Sequence, residues 1–211
     1  MSYKRKMNRF MFKSWFFIFS ALILASVFHA RSSKAGVFNL PRLVDTQEFA
    51  VCIQPELYFP ITSLGIKAIY SYGLSDLYQI TGILGTNNGL VRLGAAFNID
   101  LFPDFKEQPG AGVAVQGLWY QALFFNAFEW KLIPYLHKSF KVQFQKEEKV
   151  IEPFFALPFG VSLTQGLYTF ALTSVIGAFF KMNDHLFTVL ELGVGLGNSA
   201  DYVSTGVIYY H

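Results

Sequence analysis

From about Glu48 to the last residue, apolar and polar side chains alternate with a period of two, and the alternation restarts after each turn signal. In the run from Leu90 to Asp100, odd positions carry Val91, Leu93, Ala95, Phe97 and Ile99, and even positions carry Arg92, Gly94, Ala96, Asn98 and Asp100. Successive side chains of a strand point to opposite faces, so such a segment shows one face to an apolar medium and the other to a polar interior. The pattern predicts strands at about 48–59, 63–74, 77–84, 90–101, 111–124, 128–142, 150–163, 168–181, 186–196 and 201–211. Turn formers separate them, among them Pro60-Ile61-Thr62, Asn87-Asn88-Gly89, Thr164-Gln165-Gly166 and Asn183-Asp184-His185. All connections are short. The expected fold is all-β: a transmembrane, antiparallel, up-and-down β-barrel of about ten strands, or eight if a hairpin is misassigned.

Face assignment follows from parity. Phe49, Val51, Ile53, Leu57 and Phe59 point outward in the first strand, and Leu64, Ile66, Ala68, Tyr70 and Tyr72 in the second. Leu172 and Leu192 are outward further on, against Thr173 and Gly193 inward. The fifth strand is irregular, because Gln116 and Gln121 have opposite parity, and a bulge is expected to reset it. Pro153 to Phe180 contains no charged residue and by hydropathy alone suits a membrane helix. Its Pro153, Pro158, Gly160, Gln165 and Gly166, with its β-branched and aromatic content, favour strands.

Composition agrees with a membrane setting. Charged residues make up only 15% and aromatics 18%, against roughly 25% charged residues in ordinary soluble domains. The net charge of +3 reflects Lys4, Arg5, Lys6, Arg9 and Lys13, which precede the apolar run Trp15 to Phe28. That run is shorter than the ~18 to 20 residues of a spanning helix, and Ser33-Lys34-Ala35 follows it. The order is that of a secretory signal peptide over residues 1–35, with residues 36–211 forming the barrel. No basic patch remains for nucleic acid.

Inward parity gathers a set of charged residues: Glu48, Glu56, Lys67, Arg92, Asp100, Lys131, His137, Glu152, Lys181 and Glu191. Opposite charges inside a narrow barrel pair across strands, because a lone buried charge costs several kcal/mol. Ion pairing and a pore lining are both open to this set, and Glu152 has Lys131 or Lys141 as expected partners. His137, Ser139 and Glu152 also share inward parity, and a His, a Ser and a carboxylate can form a hydrolytic triad. Cys52 reads as a small interior filler. The histidines and this one cysteine have no metal-ligand spacing, so neither metal nor cofactor is expected. Gly193, Gly195 and Gly197 leave room for bulky neighbours. Trp119, Trp130 and the tyrosines read as girdle residues at the membrane interfaces.

With its leader, its Tyr72-Gly73-Leu74-Ser75-Asp76 hairpin and its last strand Tyr202 to His211, the chain resembles small bacterial outer-membrane β-barrel proteins. In that family the last strand alternates apolar residues and ends in an aromatic read by the barrel-assembly machinery. Here Val203, Val207 and Tyr209 fit, and the final residue is His211, preceded by Tyr210. The resemblance implies the outer membrane of a Gram-negative bacterium, with outer-membrane lipid and the assembly machinery as partners. It implies no activity. The His137-x-Ser139 pattern with downstream Glu152 is also similar to outer-membrane lipid A 3-O-deacylases, although that family follows the serine with Asn where this chain has Phe140. The leading expectation is a non-enzymatic barrel, structural or weakly pore-forming, and the alternative is a lipid-modifying hydrolase.

Overall fold

The computed structural model describes residues 43–59, 62–87, 89–105, 108–122, 125–144 and 147–211; the expected signal peptide and its cleavage point lie outside them. Twelve strand segments occur in chain order: β1 (Phe49–Phe59), β2 (Ser63–Ser75), β3 (Tyr78–Asn87), β4 (Leu90–Phe102), β5 (Gly110–Ala122), β6 (Phe125–His137), β7 (Phe140–Phe144), β8 (Glu147–Ala156), β9 (Phe159–Thr164), β10 (Leu167–Lys181), β11 (Leu186–Gly195) and β12 (Asp201–Tyr210). All ladders are antiparallel. β12 pairs with both β11 and β1, which closes the sheet on itself. Because β7 prolongs β6, and β8 and β9 are halves of one path, the described residues form a closed barrel of ten staves.

Sequence alternation reads 128–142 and 150–163 as single strands, and the structure divides each. Pro134 and Pro158 fall in the same gap of the ladder, between Leu132↔Phe159 and Tyr135↔Ala156. Proline has no N–H to donate, so pairing lapses where two staves both place one. Leu157 N donates to Pro134 O at 3.0 Å and Thr173 N to Pro158 O at 2.9 Å, which keeps the halves attached. The second break, at Lys138 and Ser139, is held by Lys138 N donating to Pro153 O (3.1 Å) and Ser139 N to Asp104 Oδ2 (2.7 Å).

No bulge resets β5. Its register with β6 runs unbroken from Gly110↔His137 to Ala122↔Phe125. Gln116 is buried and Gln121 exposed, and Gln121 lies one residue from the end of its strand, where an outward polar group leaves the apolar band. Register shifts occur instead at Gly73/Ser75 and Asp100/Phe102.

Residues ahead of β1 fold across the barrel end that carries both termini of the wall. Gln47 adopts φ 67° and Glu48 N donates to Asp45 O at 3.0 Å, so the chain reverses there. Val44 is thereby buried, its N–H donating to Gln79 Oε1 at 2.8 Å. A Cβ at Gly73 would lie 2.2 Å from Asp45 O, so only glycine admits this crossing. At the same end, His211 exchanges backbone hydrogen bonds with Phe49 and stacks on its ring at 4.9 Å.

Candidate functional site in the lumen

Strand parity sorts side chains cleanly between wall and lumen. In β1, Val51, Ile53 and Phe59 are exposed while Ala50, Cys52, Gln54, Glu56 and Tyr58 are buried. In β12, Val203, Val207 and Tyr209 are exposed while Tyr202, Ser204 and Ile208 are buried. An outward apolar band on a closed sheet leaves no unpaired backbone edge for lipid to solvate, which is what hydrocarbon demands of a spanning sheet. Strands of 10 to 15 residues, such as β3, β4 and β10, are long enough to cross. The chain is a transmembrane β-barrel.

Its lumen is filled by hydrogen-bonded and ion-paired side chains. Glu56 is central: Oε1 lies 2.8 Å from Lys67 Nζ, Oε2 accepts from Arg92 Nη2 at 2.8 Å, and the Tyr58 hydroxyl also donates to Oε2. Lys67 reaches Glu56 because Gln54↔Lys67 and Glu56↔Gly65 are register neighbours, and Arg92 because Gly85, opposite both Lys67 and Arg92, has no side chain to intervene. On the other side, Lys131 Nζ is 3.1 Å from Glu129 Oε2, which also accepts from Tyr120 OH at 2.9 Å. Glu191 accepts from the Tyr202 hydroxyl and from Gln54 Nε2 at 3.1 Å. None of the residues in these clusters is more than 7% exposed. Inward glycines make room for the large rings: a Cβ at Gly193 would lie 2.0 Å from the Tyr202 ring.

Tyr58, Tyr120, Tyr135 and Tyr202 therefore belong to the lumen and not to an interfacial girdle, because their hydroxyls serve carboxylates or backbone inside the barrel. Trp119 and Trp130 do point outward. Glu48 and Lys181 have inward parity but lie at strand ends: Glu48 is exposed, and Lys181 pairs with the exposed Asp184 at 2.8 Å. Glu129 was not among the expected charged residues, although Phe128-Glu129-Trp130-Lys131-Leu132 alternates without a fault.

His137, Ser139 and Glu152 do meet, at the end that carries the termini. Glu152 Oε1 is 2.7 Å from His137 Nδ1, and Ser139 Oγ donates to Glu152 Oε2 at 3.0 Å. Glu152 thus takes these two residues, and not Lys131, as its partners. The order is serine, carboxylate, histidine, whereas nucleophile activation requires the serine on the histidine. His137 Nε2 is not directed at Ser139 either: it abuts Gly110, where a Cβ would lie 2.3 Å away. Asp100 is half-buried nearby. Just outside, Asp104 receives Lys138 Nζ and Ser139 N. Partial burial opposes ionisation of Asp104, but these two hydrogen bonds and the Lys138 charge hold its carboxyl below the usual range. Among the described residues, no group of three or more His, Cys, Asp or Glu is placed to hold a metal ion.

No family model and no curated protein sequence matches the chain. Among solved structures it is similar to the KdgM porin, with 8% identity and a TM-score of 0.42 over 76% of this chain and 98% of that one. It is similar to an outer-membrane channel from Pseudomonas putida F1, with 7% identity and a TM-score of 0.42 over 85% and 100% of the two chains. A designed transmembrane β-barrel gives 13% identity and a TM-score of 0.39 over 79% and 98%.

Proposed function

We propose that this protein is a structural barrel of a Gram-negative outer membrane whose lumen is shut by its own side chains. The observation that carries this reading is the Glu56, Lys67 and Arg92 cluster with Glu129 and Lys131 beside it, none of the five more than 4% exposed. A hydrated ion path needs accessible surface along its walls, and side chains buried to this degree offer none. Each of these buried cations lies against a carboxylate, Lys67 and Arg92 on Glu56 and Lys131 on Glu129, so the lumen can be polar and still be filled by side chains. The open face of Ser139 bonds an acid and not a base, so a hydrolase draws no support from the geometry.

The basic, apolar and small-residue order of residues 1–35 supports export with a mature start at Gly36, and the terminal strand supports assembly by the barrel-inserting machinery. Intact mass of membrane-extracted protein tests the first point. The functional test pairs two assays on refolded protein in liposomes: ion conductance, and release of acyl chains from lipid A or phospholipid. The expected result is a silent bilayer and no hydrolysis. Steady conductance steps would replace the reading with a pore; acyl release lost in both His137→Ala and Ser139→Ala would replace it with a deacylase.

A further inference from the structure

Across β4, β5 and β6 the inward side chains form short rows, and two adjacent rows hold polar atoms that the ion pairs leave unmet. One row is Ala96, Gln116 and Lys131; the next, toward the end that carries the termini, is Asn98, Ala114 and Ile133. Asn98, Gln116 and Lys131 are 0%, 1% and 4% exposed. Four of their atoms are closed to solvent and have no hydrogen-bond partner among the described residues: Asn98 Nδ2 and Oδ1, Gln116 Oε1 and Lys131 Nζ. Glu129, 3.1 Å from Lys131 Nζ, meets the charge of the ammonium but not its three N–H directions. Asn98 faces Gln79 on β3, and that amide is already committed, its Oε1 to Val44 N at 2.8 Å and its Nε2 to Thr81 Oγ1 at 3.1 Å.

We propose that these four atoms hold ordered water, sealed in the lumen and bridging Asn98, Gln116 and Lys131. Their chemistry selects the ligand. Asn98 Nδ2 and Lys131 Nζ donate, whereas Asn98 Oδ1 and Gln116 Oε1 accept. An anion would use only the donors and a metal ion only the acceptors; water donates two hydrogen bonds and accepts two. Exchanging the two ends of the Asn98 amide leaves that balance unchanged. The pair of Lys131 and Glu129 is neutral as a unit, so no net charge calls for a counter-ion. Room comes from small neighbours: Asn98 and Gln116 occupy one diagonal of a four-residue patch, and Ala96 and Ala114 the other. Leu118, one row beyond Gln116, and Ile133, beside Ala114, are each 1% exposed and flank the site along the barrel axis. Buried water is held by about three hydrogen bonds to groups that otherwise lack partners. Here it completes the shell of the Lys131 ammonium without opening a path, so a lumen shut to ions is not a dry one.

Crystals of the refolded full chain grown in sodium bromide separate the occupants. Solvent density should lie within about 3.2 Å of at least three of the four atoms, with no anomalous bromide signal. In Asn98→Leu the new side chain should displace that density while the pair of Glu129 and Lys131 stays in place. Oxygen-17 relaxation of the solvent reads the same site in solution: wild type should hold about one long-lived internal water or more per chain beyond the number in Asn98→Leu. Heat-modifiable gel mobility confirms folding. Should Asn98→Leu not fold, the wild-type crystals decide alone. A direct bond between Asn98 and Gln116 with no density beside it, an anomalous bromide peak at Lys131, or an unchanged water count in the folded variant would each overturn the proposal. The site rests on the reading of a shut lumen, and liposome conductance separates the two failures. Any of these results with a silent bilayer ends the water site alone, whereas steady conductance steps end both.

Discussion

Replacing Glu56 by Leu removes the carboxylate that both Lys67 and Arg92 bond, and leaves two cations in a lumen where they are 2% and 3% exposed. At 2.8 Å and an effective dielectric near 20, each pair is worth about 6 kcal/mol of Coulomb energy before desolvation. Desolvation of three charges offsets most of that, so the intact cluster contributes little net stability. Breaking it is different, because the cost of burying the remaining cations stays; removal of one partner costs about 3 to 5 kcal/mol. The Tyr58 hydroxyl also loses its acceptor. Glu56→Gln should fall between, since its carbonyl still accepts one hydrogen bond. The triple variant Glu56→Leu, Lys67→Met, Arg92→Met should return close to wild-type stability, because charge and counter-charge leave together. Urea unfolding of the refolded protein in phosphatidylcholine vesicles, followed by tryptophan fluorescence, measures all three. A Glu56→Leu protein within about 1 kcal/mol of wild type would refute the claim that these charges neutralise one another in a closed lumen.

Leu93→Arg and Leu192→Arg put a charge on the lipid face and should each destabilise by about 2 to 4 kcal/mol near the bilayer midplane, read by the same unfolding assay. Gly193→Ala drives a Cβ into the Tyr202 ring and should cost about 1 to 3 kcal/mol, whereas Gly82→Ala, whose Cβ would meet nothing nearer than 4.0 Å, should be neutral; equal effects would contradict the lumen packing. The depressed pKa of Asp104 makes its clamp on Lys138 and Ser139 contribute above the unfolded carboxylate range near pH 4 and lose that contribution as pH falls through the folded value. Asp104→Asn should flatten this acid-side loss when stability is measured between about pH 5 and pH 2.

Strand number and face assignment were legible because parity is a local property: in β4 and β12 every second residue declares its side. What parity does not supply is position along the barrel axis. Glu48 and Lys181 have the inward parity of Glu56 and Glu191, yet they sit at the rim, because their strands end there. Pairing across the lumen was equally out of reach. Glu152 meets His137 because β6 breaks after it and β8 returns with Phe154 opposite His137, and no local pattern encodes that register. Tyrosine misleads in its own way. An amphipathic ring suits both a membrane interface and a lumen hydroxyl, and only alternation with Ser204 and Gly206 marks Tyr202 as inward. Pro158 splits a stave that alternation alone joins, and Pro134 opposite it leaves the gap in the ladder unpaired, since the pattern records side-chain polarity and not the missing N–H.

Cys52 offers the most direct test of the closed lumen, since it faces inward at 1% exposure and is the chain's only cysteine. Its reaction with a small, charged, water-soluble methanethiosulfonate is to be timed in the refolded, bilayer-embedded barrel and again in urea. A lumen filled by paired side chains should protect the thiol until the barrel opens, slowing modification by about a hundredfold or more relative to the unfolded chain. Modification of the folded protein at close to the unfolded rate would show that water and ions enter the lumen freely, and would contradict the account.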